Sequence, residues 1–114
     1  MYKPEYFNRK GKAISKTEYF KLHADKDYVR VAETTLPNGK WFSTVWLGVN
    51  HAPDDDSPPL IFETMVFPSR DELIELDMRR YQTEEGATFG HEMMVLREKW
   101  QVLQIAYDAA RKEA

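Results

Sequence analysis

At 114 residues with no cysteine, the chain has the length of one domain that buries a single core without disulfides, and it offers no thiol for catalysis or metal binding. A net charge of -3 argues against a general nucleic-acid binder. No apolar run approaches the ~20 residues of a membrane span, and MYKPEYFNRKGK lacks the apolar stretch of a signal peptide, so a protein of the cytoplasm is expected.

The charge is uneven. Residues 1 to 30 carry a local +4, residues 31 to 80 a local -5, and the remainder -2. A basic end on an acidic body suits an acidic partner, or the acidic loop of a neighbouring copy.

In chain order, Tyr6, Phe7 and Ile14 flank NRKGK, a tight turn with Gly11 free to take positive φ, which predicts a small hairpin. Ser15 three residues before Glu18 is a capping box, and it predicts a helix over 16–24. Asp25 to Asp27 end that helix and lead into the first of three strands, 29–35. Pro37 fixes φ, and Asn38-Gly39 offers left-handed positions, so a hairpin to a second strand over 41–48 follows. NHAPDDDSPP, with three prolines and three consecutive aspartates, is a surface loop before the third strand, 60–67.

These strands differ in polarity. The first alternates Val29 and Val31 with Arg30 and Ala32, as an edge strand does. In the second, Trp41, Val45 and Leu47 oppose Phe42 and Trp46; in the third, Leu60, Phe62 and Val66 oppose Ile61, Met65 and Phe67. Both faces are apolar, so both are expected to be covered, one of them by further chain or by a partner. Glu63 sits among these apolar residues, where an ionised carboxylate needs a counter-charge such as Arg30, Arg79 or Arg80.

Ser69 and Glu72 form a second capping box, which predicts a short helix over 70–76. Met78 and Arg80 alternate with Arg79 and Tyr81, which predicts a fourth strand over 78–82, with a continuous helix as the alternative. Thr83 then caps a long helix with Glu84 and Glu85 in its first turn, where negative charge suits the helix dipole. Phe89, Met93, Leu96, Trp100, Leu103, Tyr107 and Ala110 follow alternating steps of four and three, a heptad seam that is expected to pack on the sheet. A second apolar set, including Val95, Val102, Ile105 and Ala106, lies nearly opposite. One helix with two apolar faces predicts a homodimer whose contact uses this second set. The fold class is therefore α+β: a three- to four-stranded antiparallel sheet with a short N-terminal helix and a long C-terminal helix.

Chemistry-bearing motifs are scarce. Phosphate-cradling glycine loops and nucleophile elbows are absent, and His91-Glu92 lacks the second histidine of a zinc helix because position 95 is Val. His51 with Asp54 and Asp56 does not match a calcium-loop spacing, so neither metal nor cofactor is expected. The element order coincides with a double-stranded RNA-binding domain, but TEEGATFGHE is acidic where such a domain grips phosphate. Glu63, His51 and His91 are the candidate polar site. With Trp41, Trp46 and Phe62 they would serve a small-molecule binder or small enzyme with a pocket between sheet and long helix.

The combination STVWLG, His51, PPLIFETMVF and RRYQTEEGATFGHE resembles an uncharacterised family of small bacteriophage and prophage proteins, over roughly residues 6 to 97. Where family members carry a Gly-rich link, this chain has APDDDS. The resemblance implies a phage accessory protein of the bacterial cytoplasm and supplies no catalytic residue or cofactor. The expected function is thus a non-enzymatic module that binds a host or phage protein.

Overall fold

The structure, a computed structural model, describes residues 3–113. The three apolar segments form strands β3 (Arg30–Thr35), β4 (Trp41–Trp46) and β5 (Phe62–Phe67), and MRRY joins them within β6 (Asp77–Tyr81). They make one antiparallel sheet in the order β3-β4-β5-β6, so β3 is an edge strand as its alternation implies. Ahead of them come the small hairpin of β1 (Tyr6–Phe7) and β2 (Ala13–Ile14), then helices α1 (Lys16–His23) and α2 (Lys26–Val29); α3 (Glu84–Glu113) follows the sheet. The chain is an α+β fold.

Local chemistry explains most boundaries. Ser15 Oγ accepts from the Glu18 amide at 3.1 Å and starts α1. Asp25, expected only to end that helix, caps α2 by accepting from the amides of Asp27 and Tyr28. That extra turn delays the first strand to Arg30. At the β3–β4 turn Gly39 takes φ +94 and Asn38 does not leave negative φ, so a three-residue loop closed by one left-handed glycine replaces the expected left-handed pair.

No helix forms over 70–76. Ser69 and Glu72 instead face each other in an isolated bridge, and the Leu76 amide donates to the Val66 carbonyl at 2.8 Å, which brings the chain straight back for Asp77 to pair with Val66. A helix this short needs a buried face. Leu73, Ile74 and Leu76 are at least half exposed here, so nothing supports one.

One face of the sheet carries the core. Phe42, Thr44 and Trp46 of β4 and Phe62, Thr64 and Val66 of β5 are buried, with Ala87, His91, Met94 and Val95 of α3 against them. The N-terminal elements reach the same side: Tyr19 and Tyr28 pack on Trp46, whose indole Nε1 donates to the Phe7 carbonyl at 2.9 Å. Gly48 is required beneath them, since with φ +76 a Cβ would stand 2.5 Å from the Trp46 ring and 2.8 Å from Tyr19.

The face of α3 that meets the sheet is the reverse of the one expected. The heptad seam points to solvent, with Phe89 65%, Trp100 64% and Leu103 63% exposed, while Val95, assigned to a dimer contact, is buried against Leu36, Phe42, Val66 and Met94. The sheet supplies the bulk in Trp46, Phe42, Phe62 and Tyr81, so the helix approaches through its small residues. At Gly90 a Cβ would overlap the Tyr81 ring. Large seam residues would hold the helix off.

The opposite face of the sheet also departs from expectation, because among the described residues no helix covers it. Trp41, Val45, Met65, Phe67 and Met78 are half-buried there by one another. Trp41 lies 5.3 Å from the Phe67 ring, and the Arg70 guanidinium sits 5.1 Å over the Trp41 ring while pairing with Glu33.

Candidate functional site

Strand alternation separates the three candidate polar residues. Thr64 faces α3, so its neighbour Glu63 points to the opposite side of β5, where its carboxylate accepts from Arg80 Nε at 3.0 Å. Arg80 is thus the counter-charge among those expected, and this satisfied pair is structural. His51 is on the exposed loop, donating from Nδ1 to the Val49 carbonyl at 2.9 Å. His91 is buried on the helix side. No pair of the three shares a site.

His91 has partners the sequence did not reveal. Its Nε2 lies 2.8 Å from Thr34 Oγ1 and its Nδ1 2.7 Å from Thr44 Oγ1, and Thr44 is hydrogen-bonded in turn to Thr64. This chain ties β3, β4 and β5 to α3 and leaves no buried side-chain polar atom unpaired among the described residues. A neutral imidazole has one donor and one acceptor, and rotating hydroxyls suit either tautomer. Burial holds the His91 pKa below its ordinary 6.5, and the Glu92 carboxylate opposes that only in part. The one available signal was parity: Thr44 and Thr64 occupy the same strand face as Phe42, Trp46 and Phe62, where a hydroxyl must find a partner.

The arrangement has a base, and an open shallow concavity of about 300 Å³ borders it at Thr34, Glu92, Val95, Leu96 and Lys99, but among the described residues neither a thiol nor a glycine-rich anion cradle stands beside it. Between sheet and α3, where a pocket was expected, Phe42, Val66, Met94 and Val95 fill one half and Trp46, Ile61, Phe62 and Ala87 the other. Trp46 and Phe62 belong to this packing, and Trp41 lies on the other face of the sheet.

A wide concavity lies elsewhere, an open basin of about 830 Å³ between the β1–β2 turn and the start of α3. Its wall is internally neutralised: Arg9 Nε meets Glu84 at 2.6 Å, and the Arg9 guanidinium and amide also bond Tyr28. Arg9 of the basic N-terminal segment thus meets an acidic partner within its own chain, as Lys3 does with Asp55 at 3.6 Å.

In the acidic loop, Asp54 accepts from the Asp56 amide and from the amide and hydroxyl of Ser57. These bonds hold its pKa below the usual carboxylate value. One oxygen of Asp54 is thus committed to shaping the loop. Among the described residues no three His, Asp or Glu side chains converge as a metal set.

The large unpartnered surface is on α3. Every described side chain from Lys99 to Lys112 is exposed, including Trp100, Val102, Leu103, Ile105 and Tyr107. Of the residues assigned to a contact, Val102, Ile105 and Ala106 lie here, beyond the end of the sheet. No helix among the described residues is long and apolar enough to cross a membrane. No family model matches the chain, and no curated protein or solved structure matches it at a significant level.

Proposed function

We propose that the protein is a non-enzymatic module that binds a host or phage protein in the bacterial cytoplasm, with the projecting half of α3 as its binding element. The observation that carries this reading is the exposure of Trp100, Val102, Leu103, Ile105 and Tyr107 on a helix that has already met its own sheet. A monomer gains nothing for its own core from such residues, and contiguous exposed apolar surface of this kind marks an interaction site. The motif resemblance to small phage and prophage proteins supports an accessory role in host takeover or defence evasion. Two polar networks already satisfied, at His91 and at Glu63, support binding over catalysis.

The test compares the full chain with a Val102→Glu, Ile105→Glu variant, both immobilised, against lysate of the host. The variant retains its fold, because both positions are exposed, and fails to capture species that the unaltered chain retains. Equal capture by both removes the projecting helix as the binding element. A thermal-shift screen of small metabolites supplies the opposite outcome: a ligand at 100 times its Kd adds about 2.7 kcal/mol of stability, and a clear hit replaces this reading with a small-molecule site.

A further inference from the structure

We infer that the heptad seam of α3 is covered by a second copy of this chain, and that the two helices run antiparallel about a two-fold axis between residues 101 and 102. The inference rests on the reading of α3 as the binding element and assigns one of its two apolar stripes. Phe89, Met93, Leu96, Trp100, Leu103 and Tyr107 are 65%, 45%, 47%, 64%, 63% and 59% exposed, so the seam is open along both the packed and the projecting parts of the helix. His91 and Glu98 lie opposite the seam, toward the sheet, and Arg79 of β6 flanks the seam beside Met93, Leu96 and Trp100.

Area and shape both fit a second copy. Trp100 and Tyr107, at about 200 Å² each and roughly three-fifths exposed, offer about 250 Å². With the aliphatic members of the three layers this approaches roughly 550 Å² per copy, or about 1,100 Å² in total, above the ~1,000 Å² that a specific interface needs. In the antiparallel arrangement Trp100 faces Leu103 of the second copy, Tyr107 faces Leu96, and Met93 faces Ala110. Each layer pairs a larger side chain with a smaller one, as close packing across a helix pair requires. The flanks agree: Lys99 comes to face Ala106 and Arg97 to face Gln104, so no like charges are opposed at the centre.

A parallel pair fits less well. It stacks Trp100 on Trp100 and Tyr107 on Tyr107, and leaves two alanines facing at position 110. Its one attractive flank pair, Glu92 with Arg97, competes with the bond Arg97 already makes to Asp77 at 2.8 Å. The antiparallel pair also lays each projecting end along the outward face of the other copy's packed segment, which closes the contact and prevents chain-on-chain growth.

The absence of native cysteine makes the test direct. Light scattering on the eluting full chain gives twice the 13.4 kDa monomer mass, and Leu103→Glu gives a monomer with an unchanged circular dichroism spectrum, since that position is solvent-exposed in the single chain. Under mild oxidation Met93→Cys with Ala110→Cys forms a covalent dimer, while Ala110→Cys alone does not. A full chain that elutes as a monomer at its highest soluble concentration overturns the inference, as does a covalent dimer of Ala110→Cys alone, which requires a parallel pair. Neither result touches the wider reading of α3 as a binding element, which fails separately if Val102→Glu, Ile105→Glu captures what the unaltered chain captures.

Discussion

The two halves of α3 both carry apolar residues at helical spacing and differ in what surrounds them. Up to Glu98 the helix turns Ala87, Gly90, His91, Met94 and Val95 to the sheet, and the Lys40–Glu98 ion pair at 2.6 Å is the last tie between them. After Glu98 every described side chain is exposed, yet large apolar residues continue at the same spacing. Length alone requires some overhang: 30 residues of helix extend ~45 Å, and a six-residue strand about 20 Å. The longest dimension of the molecule, 66 Å against 29 and 22, reflects that projection. Apolar patterning therefore specifies contact without saying with whom, and here it serves the fold in one half and an outside surface in the other.

The contrast is broken most forcefully from the packed half. Met94→Ala removes a side chain only 5% exposed and should cost about 2–5 kcal/mol by urea denaturation; a loss below 1 kcal/mol means the helix is not seated as described. Gly90→Ala comes next. Overlap with the Tyr81 ring costs about 1–3 kcal/mol, from which the better helix propensity of alanine subtracts about 1 kcal/mol. A variant more stable than the parent would show that Tyr81 yields without strain.

Acid titration probes the same half more gently. Because burial depresses the folded pKa of His91, the unfolded chain binds the proton more readily. The contribution of His91 to stability is complete above its ordinary 6.5, falls as the pH drops below that value, and levels off once the folded histidine is itself protonated. Melting curves of the parent and of His91→Gln should diverge in slope across that window, and parallel curves would contradict the assignment. The smallest effect belongs to the projecting half: Leu103→Ala, measured where the chain is dilute enough to be single, should alter stability by no more than about 0.5 kcal/mol. A larger loss there would mean that the seam packs within its own chain.

What the sequence made legible follows from how local each signal is. Turn and cap chemistry at Gly11, Ser15, Gly39 and Thr83 acts over a few residues and located the hairpins and both longer helices. Strand alternation identified β3 as an edge and separated Trp41 from Phe42. The Ser69–Glu72 motif misled because a cap starts a helix only where something buries its face. The helix face was misassigned because periodicity shows that α3 has two apolar stripes, whereas the choice between them depends on bulk supplied by Trp46, Phe62 and Tyr81 from other elements. The candidate polar residues separate for a related reason: Glu63 and His91 stand out in the sequence as polar in apolar surroundings, and each is satisfied by partners from neighbouring strands, Arg80 of β6 in one case and Thr34 of β3 and Thr44 of β4 in the other.

The Lys40–Glu98 tie also sets a boundary in time. Beyond it about fifteen residues are helical without tertiary support, a length at which an isolated helix is only marginally stable in water. Backbone amides past that tie should exchange with deuterium quickly in a dilute chain, while those of Gly90 to Val95 are released only by opening of the sheet interface. An occupant confined to the distal segment acts chiefly on the fast set, whereas a second copy laid along the whole seam slows both sets. The helix thus carries its own occupancy gauge, readable amide by amide before the occupant has been identified.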